Sequence, residues 1–476
     1  MGAQKSFSQD YFNLRYGHDS LQEIGKTILT VDSGYYIVNY RYVDWNNSKV
    51  NLTYLDSTGN IKWQKSYGQS GIWYSGGKTG KQLVLSHDKK KMYFACTGID
   101  SLNRYFGVLW SFNREGDSLF CKYYGDSLTF YSNDYCQITL DSCIIIAGAM
   151  NNGTTQAMLI KTDSLGNKLW EQIFGGGGTE YGCSVLQKPD GGFLVGITTT
   201  SYGGDADMAL LSTDAAGNEQ WLQPYTGNFD EALSSYIISL SDGNYALCGG
   251  LGSSTMNYGW PRVIKINPAG NVIWDKKYGA DLFGSMATGI VETSDGNIIV
   301  TGTVNSKGII FKINQNGDSL WCRNLQHTSI SSLLSTNVLW AIDTAINGGY
   351  VCAGVMYPSS PDTGSVDVWV IKVDEWGCDT LGCQFVSVEE EEMDKAIVKV
   401  YPNPTSDYLF VEIETELFES GSLTYSIYDI IGKRLLSIQA CSQWESFDVS
   451  KLASGTYLLQ IEKGDEIIDK IKFIRE

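Results

Sequence analysis

Residues 159–175 read Leu-Ile-Lys-Thr-Asp-Ser-Leu-Gly-Asn-Lys-Leu-Trp-Glu-Gln-Ile-Phe-Gly, and this stretch predicts the fold of most of the chain. Asp163 to Gly166 fits a type I turn followed by a left-handed position, which glycine occupies without strain. The flanking residues alternate as they do in strands, so the stretch predicts a strand–turn–strand hairpin. Trp170, four residues after the glycine, is then a large apolar side chain in the outer strand.

The same phrase recurs along the chain. Its turn glycines are Gly59, Gly116, Gly166, Gly217, Gly270, Gly317 and Gly377, and the aromatics after the first six are Trp63, Phe120, Trp170, Trp221, Trp274 and Trp321. Most units also contain an earlier Asp-Gly or Asn-Gly turn, such as Asp190-Gly191, which is a strong hairpin signal. Two hairpins in each unit give four strands, and repeated four-stranded sheets arranged radially form a β-propeller.

The ends of the repeat region predict how the ring closes. The seventh unit has no aromatic strand after Gly377, whereas Phe12 to Gly17 near the N-terminus has the required aromatic spacing. We therefore predict an all-β, seven-bladed propeller over residues 8–383, in which this N-terminal strand pairs with the Trp369–Asp374 strand. Trp170, Trp221 and Trp274 should be mostly buried between neighbouring blades. A stacked β-solenoid is the alternative, although its repeats are usually much shorter.

Composition excludes several classes of function. The net charge is 35 − 53 = −18, and such an acidic surface repels phosphate backbones, which argues against nucleic-acid binding. The sequence contains no apolar run long enough for a transmembrane helix. The 11 Cys include no CxxC pair and there are only three His, so we expect no metal site of the zinc type and no cofactor other than Ca²⁺ held by loop carboxylates. We expect a monomer.

The pattern changes after Cys383. Residues 384–397 contain Glu389 to Glu392 and are interpreted as an acidic linker. Residues 398–476 contain short alternating segments at roughly ten-residue spacing, which predict a small immunoglobulin-like β-sandwich. The motif residues of this segment are Tyr401, Pro402, Asn403, Pro404, Asp429, Gly432, Lys433, Gly455 and Tyr457.

These motifs, in this order, resemble the type A C-terminal sorting domain of the type IX secretion system of Bacteroidetes. The blade phrase is similar to repeats of secreted propeller proteins from the same bacteria. The resemblance implies a periplasmic passenger that the type IX machinery exports, so that the protein is secreted or held on the outer cell surface. An exported protein meets an oxidising compartment, and Cys378 and Cys383 are close enough in sequence to form a local disulfide.

The loops that follow each Tyr-Gly vary, whereas the turns are repetitive, so any ligand should meet the loop face. The residues predicted to bind there are Trp73, Tyr74, Tyr131, Asp134, Glu180, Tyr181, Asp230 and Glu231. Aromatic side chains beside carboxylates favour binding or adhesion to a surface glycan or protein. The alternative is an extracellular carbohydrate-active enzyme with its site in the channel mouth, for which the sequence identifies no catalytic residue.

Overall fold

The computed structural model describes residues 11–18, 20–44, 46–76, 82–125, 130–202, 206–226, 236–252, 258–279, 282–283, 285–304, 306–327, 335–359, 365–380, 398–413, 423–429, 433–439, 444–464 and 466–476. The chain divides into two compact units, Met1–Phe385 and Val386–Glu476. The described residues form strands and turns, and they include no helix that is long and apolar enough to cross a membrane. The all-β prediction is confirmed for this part of the chain.

The strands of the first unit form seven antiparallel sheets among the described residues. In chain order the strands are β1 (Phe12–Tyr16), β2 (Gln22–Val31), β3 (Gly34–Asp44), β4 (Asn47–Asp56), β5 (Ile61–Tyr67), β6 (Ile72–Ser75), β7 (Leu83–Leu85), β8 (Lys91–Asp100), β9 (Tyr105–Asn113), β10 (Ser118–Tyr124), β11 (Phe130–Ile138), β12 (Ile144–Asn151), β13 (Thr155–Thr162), β14 (Lys168–Phe174), β15 (Glu180–Gln187), β16 (Phe193–Thr199), β17 (Asp207–Thr213), β18 (Glu219–Tyr225), β19 (Tyr236–Ser239), β20 (Tyr245–Gly252), β21 (Tyr258–Ile266), β22 (Val272–Lys277), β23 (Leu282–Phe283), β24 (Met286–Glu292), β25 (Ile298–Val304), β26 (Lys307–Ile313), β27 (Ser319–Leu325), β28 (Thr336–Thr344), β29 (Tyr350–Tyr357) and β30 (Asp367–Val373).

Each sheet is built from consecutive strands and contacts the next sheet along the chain. The sheets comprise β2 to β5, β6 to β10, β11 to β14, β15 to β18, β19 to β23, β24 to β27, and β28 to β30 with β1. Contacts run from one sheet to the next through the pairs β4–β6, β8–β11, β12–β15, β15–β19, β20–β24, β25–β28 and β29–β2. Successive four-stranded sheets arranged in this way are the topology of a β-propeller.

The N-terminal strand adds to the last sheet, as predicted. Strand β1 runs antiparallel to β30, with Phe12 opposite Lys372 and Tyr16 opposite Val368. The Trp369 indole donates a hydrogen bond to Asn13 Oδ1 at 2.8 Å, and the Arg15 guanidinium pairs with Asp367 at 2.7 Å. These contacts join residues from the two ends of the first unit.

The recurrent turn is held by its first side chain. Asp163 Oδ1 accepts hydrogen bonds from the backbone N–H groups of Leu165 (2.9 Å) and Asn167 (2.8 Å). Gly166 then adopts φ +76°, a left-handed conformation that side chains rarely take. The repeat therefore requires Asp or Asn at the start of the turn to accept these backbone hydrogen bonds. It requires glycine three residues later to adopt the positive φ.

Each turn glycine also receives an aromatic ring from the preceding sheet. A Cβ atom added at Gly217 would lie 2.9 Å from the Trp170 ring, so only glycine lets the indole pack this closely. The equivalent pairs are Phe12–Gly59, Trp63–Gly116, Phe120–Gly166, Trp170–Gly217, Trp221–Gly270, Trp274–Gly317 and Trp321–Gly377. We call these seven contacts the docking pairs.

Trp170, Trp221 and Trp274 are partly buried and each packs on the turn glycine of the next sheet, in agreement with the expectation that they are mostly buried between neighbouring sheets. They lie on the outermost strand of each sheet, where one edge of the indole remains open to solvent. A tyrosine near the end of the same strand adds a polar contact in several sheets. The Tyr225 hydroxyl, for example, donates to the Gly270 carbonyl oxygen at 3.0 Å.

The second unit contains two sheets around one core. Its strands are β31 (Val398–Tyr401), β32 (Tyr408–Ile413), β33 (Leu423–Asp429), β34 (Arg434–Gln439), β35 (Trp444–Asp448), β36 (Gly455–Lys463) and β37 (Glu466–Arg475). The sheets have the orders β31-β32-β35 and β34-β33-β36-β37. Leu409 and Val411 of the first sheet share a buried cluster with Tyr425, Leu459 and Phe473 of the second, which makes the unit a β-sandwich.

Cysteines behave mainly as buried apolar residues. Cys96, Cys136, Cys248 and Cys352 are free and buried in the first unit. Cys378 is disulfide-bonded, as its predicted role requires. Its predicted partner, Cys383, lies outside the described residues, so the pairing of these two cysteines stays a prediction.

Candidate ligand-binding face

The loop face is the end of the first unit's sheets where the first strand of each sheet begins. Because the strands of a sheet are antiparallel and consecutive, the loop between its second and third strands returns to this same end. The end of the fourth strand also lies there. Each sheet therefore offers two connections to this face, whereas the sequence-based prediction considered only the connection that follows the fourth strand.

Trp73 and Tyr181 lie at this face with accessible side chains. Trp73 belongs to β6 and stacks on Tyr42, with ring centroids 4.5 Å apart and an interplanar angle of 15°. Burial raises the pKa of the Tyr42 phenol to about 12, so this hydroxyl is neutral at physiological pH. Tyr181, near the start of β15, is 40% exposed.

Tyr74 is buried, which corrects the expectation that its side chain is exposed at the rim of the loop face. Its side chain is fully buried, and the ring packs near Trp110 with centroids 6.1 Å apart. The hydroxyl accepts a hydrogen bond from the Gln69 backbone N–H at 3.1 Å. Neighbouring residues of a strand point to opposite faces, so Trp73 and Tyr74 cannot both face a ligand.

Glu180 is buried as well, so its carboxylate does not lie on the accessible surface of the loop face. The carboxylate accepts hydrogen bonds from the Gly176 backbone N–H at 3.2 Å and from the Thr199 hydroxyl at 3.1 Å. The Ser201 hydroxyl also donates to it. Glu180 therefore ties the glycine-rich segment 175–178 to the loop after β16, and its oxygens are occupied within the protein.

The structure does not describe the side chains of the other four predicted residues. Tyr131 and Asp134 lie in β11, whose described part includes their backbone but not their side chains. Asp230 and Glu231 lie outside the described residues. In the described part of the chain, no three His, Cys, Asp or Glu side chains are grouped so that they could hold a metal ion. The Ca²⁺ hypothesis stays a prediction, which the effect of EDTA on the melting temperature would test.

A pocket of about 340 Å³ opens at this face beside the β8–β9 hairpin. It lies between the loop that leads into β6 and the end of β10. Its lining residues are Gln69, Ile72, Asp100, Arg104, Tyr105, Phe106, Tyr123 and Gly125. The sequence analysis missed five of these side chains (Asp100, Arg104, Tyr105, Phe106 and Tyr123) because they lie on the hairpin and the outer strand. Asp100-x-x-x-Arg104 followed by two aromatics was the signal that could have indicated them.

The polar wall of the pocket is a paired acid and base. Arg104 donates to Asp100 Oδ2 through Nε at 2.7 Å and Nη2 at 2.6 Å. Asp100 Oδ1 accepts the backbone N–H groups of Leu102 (2.9 Å) and Arg104 (3.0 Å). Hydrogen bonds from the Arg104 side chain and backbone lower the pKa of Asp100, so the pair stays ionised and nearly neutral in net charge.

The aromatic wall is formed by Phe106 and Tyr123. Their rings meet edge to face, with centroids 5.3 Å apart and an interplanar angle of 74°. Tyr123 is 41% exposed, and its pKa is raised first by burial and then by a hydrogen bond with Tyr74. The buried Tyr74 therefore contacts Tyr123 through this hydrogen bond, although Tyr74 does not line the pocket.

The predicted motif of the second unit has a structural basis. Asn403 donates from Nδ2 to the Lys472 carbonyl oxygen at 3.0 Å and accepts the Ile474 N–H at 2.9 Å. Tyr457 is buried, stacks on Phe473 with centroids 5.6 Å apart, and donates to the Ala453 carbonyl oxygen at 2.7 Å. Lys433 N–H donates to Asp429 Oδ1 at 2.8 Å, whereas Gly432 lies outside the described residues. The first motif thus joins the segment after β31 to β37 of the other sheet, whereas Tyr457 packs on β37 within its own sheet.

Together these features define a β-propeller followed by an export domain. Residues 399–475 match the family described as the secretion system C-terminal sorting domain. This segment is therefore a type IX sorting domain, and it implies export to the cell surface or secretion. The machinery of that system is the partner that the domain implies. No curated protein sequence matches the chain.

Three solved structures are similar to the chain at low identity. A protein of unknown function from Dyadobacter fermentans is 9% identical and has a TM-score of 0.45, covering 77% of this chain and 100% of its own. The β-propeller domain of the Trilobed protease from Pyrococcus furiosus is 8% identical with a TM-score of 0.42, over 75% and 99%. The Hadza microbial sialidase Hz136 is 10% identical with a TM-score of 0.43, over 71% and 76%. Because these TM-scores are all below 0.5, the assignment of a propeller fold is based on the strand pairing described above.

Proposed function

We propose that the protein is an exported binding propeller whose loop face holds a surface glycan, and that its seven sheets are the blades of one closed ring. The seven docking pairs support the ring. Each aromatic packs on the glycine of the next sheet, and Phe12 of the last sheet packs on Gly59 of the first. In the second unit, seven strands in two sheets around one core support an immunoglobulin-like sandwich. We take the protein to be a monomer.

The pocket beside the β8–β9 hairpin is the single observation on which the binding function depends. A partly exposed Tyr123 ring offers a flat apolar surface, and the Asp100–Arg104 pair forms a polar wall of the same pocket. Aromatic surface combined with a few fixed polar groups is the usual construction of a small-ligand site. A pyranose ring presents an apolar face and hydroxyl edges that match these two walls.

Charge favours a neutral sugar over an acidic one. Arg104 is compensated by Asp100, and the whole chain carries a net charge of −18. A carboxylate or sulfate on the ligand would therefore meet repulsion from the protein without a free cation in this pair to offset it. The described carboxylates also favour binding over catalysis, because those of Glu180 and Asp100 are occupied by hydrogen bonds within the protein.

A glycan array probed with the full chain tests this proposal. We expect binding to neutral glycans, at least tenfold weaker binding in Tyr123→Ser, and unchanged binding in Tyr202→Ser. Tyr202 is a matched control, since it is 42% exposed and lies in the loop between β16 and β17 at the same face. Absence of glycan binding by the folded wild-type chain would refute the function. Loss of binding in Tyr202→Ser but not in Tyr123→Ser would move the site to another blade.

A further inference from the structure

A second aromatic surface lies beside the pocket at the loop face. Trp73 directly follows Ile72, which lines the pocket, and both residues belong to β6. The Trp73 indole stacks on the Tyr42 ring with centroids 4.5 Å apart, and both side chains are only partly buried. Because Tyr42 belongs to β3, this stack joins the first sheet to the second. We call Trp73 and Tyr42 the aromatic platform.

A carboxylate accompanies the platform, as another accompanies the pocket. Asp44 is exposed and follows Tyr42 by two residues. It accepts hydrogen bonds from the Asn46 backbone N–H at 2.8 Å and from Asn47 Nδ2 at 2.8 and 2.7 Å. These hydrogen bonds lower the pKa of Asp44, so its carboxyl group is ionised at neutral pH. Each of the two places therefore combines an aromatic surface with a carboxylate that hydrogen bonds hold in position.

Hydrogen bonds also hold the pocket and the platform at a fixed position relative to each other. Gly71 lies between two residues that line the pocket, Gln69 and Ile72, and its backbone N–H donates to Asn47 Oδ1. The same Asn47 side chain donates to Asp44 through Nδ2. A Cβ atom added at Gly71 would meet none of the described residues within 4 Å, so the surface between the two places is open at this point.

Two such places favour a ligand that reaches both of them. Once one part of a ligand is bound, a second part of the same molecule binds without a further loss of translational and rotational freedom. A pyranose ring has an apolar face that can pack on an aromatic side chain and hydroxyl groups that can donate to a carboxylate. A single sugar can fill one of the two places, whereas a linear chain of sugars presents these groups repeatedly.

We propose that the glycan site extends from the pocket to the aromatic platform and takes a linear chain of neutral sugars rather than a single terminal sugar. This inference rests on the glycan-binding function proposed above. One sugar lies in the pocket beside Tyr123, and another sugar of the same chain packs on Trp73. Asp44 accepts hydroxyl groups at the second position, and its negative charge disfavours an acidic sugar there.

Titration calorimetry with the full chain tests the proposal. The probes are size series of glucose, mannose, galactose and N-acetylglucosamine, from the monosaccharide to the hexasaccharide. In the series that binds, we expect the longer chains to bind about tenfold more tightly than the monosaccharide. Trp73→Ser should lose this gain and keep the affinity for the monosaccharide, whereas Tyr123→Ser should weaken the binding of both. The matched control is Trp376→Ser, which changes a tryptophan that is 49% exposed in the turn after β30, at the opposite end of the sheets, and should bind as the wild type does.

A conservative variant separates the role of Trp73 in binding from its packing on Tyr42. Trp73→Phe keeps an aromatic ring, so it should melt at the temperature of the wild type and keep most of the gain for longer chains. Equal affinity of the wild type for the monosaccharide and the longer chains would overturn the extended site and leave the function of the pocket in place. Loss of the gain in Trp376→Ser as well as in Trp73→Ser would overturn the assignment to the platform. If the folded wild type binds none of the series, both the glycan-binding function and this inference are refuted.

Discussion

At the residue scale, the repeat depends on an aromatic ring and a glycine that lie in different sheets. The turn glycine satisfies two requirements, because it adopts a positive φ and leaves room for the ring of the preceding sheet. The sequence shows the first requirement directly, since Asp-x-x-Gly is a local pattern. The second requirement involves residues about fifty positions apart, and only the structure shows that they meet.

A pair of glycine substitutions separates these two requirements. Gly116 and Gly243 both have φ +84°, but the Trp63 ring packs on Gly116 whereas nothing lies within 4 Å of a Cβ at Gly243. We expect Gly243→Ala to cost about 1 kcal/mol for backbone strain. Gly116→Ala should cost about 1–3 kcal/mol more, because the added methyl group displaces the indole. Chemical denaturation measures the free energy of unfolding of both variants. An equal decrease in the two variants would show that the packing of Trp63 on Gly116 adds no constraint.

The turn carboxylates make stability depend on pH. Hydrogen bonds from the Asn218 side chain and backbone lower the pKa of Asp214. A carboxyl whose folded pKa is depressed contributes stability that is present above its unfolded pKa of about 3.9 and is lost as pH falls through the folded pKa. Asn267 holds the equivalent turn with the same pair of backbone hydrogen bonds, so Asp214→Asn should keep the turn but lose this titration.

We therefore expect the wild type to be more stable than Asp214→Asn at pH 7 and the difference to shrink below about pH 4. Melting temperatures of the wild type and Asp214→Asn at pH 7, 4 and 3 measure this difference in stability. A difference in melting temperature that stays constant from pH 7 to pH 3 would contradict the pH-dependent role of Asp214.

At the element scale, the sequence predicted hairpins well and side-chain direction poorly. Alternation and Asp-Gly turns indicated the strands from β11 to β18 because both signals are local. Glu180 and Tyr74 were misplaced because a loop's position does not reveal which of its side chains turns inward. Strand β15 also contains a register shift between Gly182 and Ser184, which no simple alternation reveals. The pocket was missed because only one of the two connections at the loop face was considered.

Strand β1 is the element whose removal should matter most. Deleting residues 11–17 would leave β30 as an unpaired edge and would remove the Phe12 ring from Gly59. We expect the deletion variant to melt at least 5 °C lower than the wild type and to aggregate more readily. Differential scanning calorimetry measures the first effect and light scattering the second. An unchanged melting temperature would show that the pairing of β1 with β30 does not stabilise the ring.

At the scale of the whole molecule, the chain contains two units with separate cores. The buried cluster of the sorting domain contains only residues between Val398 and Phe473. The motifs in this region identified export from the sequence alone because they are local and ordered. The ligand could not be identified in the same way, since the residues that line the pocket lie between Gln69 and Gly125 and meet only through the pairing of β6, β8, β9 and β10.

Removal of residues 398–476 should therefore affect export but not the fold of the propeller. We expect the truncated chain to stay in the periplasm, soluble and with cooperative melting, because the propeller core loses no member. Cell fractionation and circular dichroism measure the two outcomes. Export of the truncated chain at the normal level would contradict the role of the sorting domain.

The pairing of β1 with β30 also governs when the last sheet can be completed during synthesis. Phe12 pairs with Lys372, a separation of 372 − 12 = 360 residues. A ribosome that adds about 5–20 residues per second needs roughly 20–70 s to produce the partner strand. The sorting domain is translated after β30, so a chain that stops before β30 can pair with β1 also lacks its export signal. The order of translation thus keeps chains without a complete last sheet from leaving the cell.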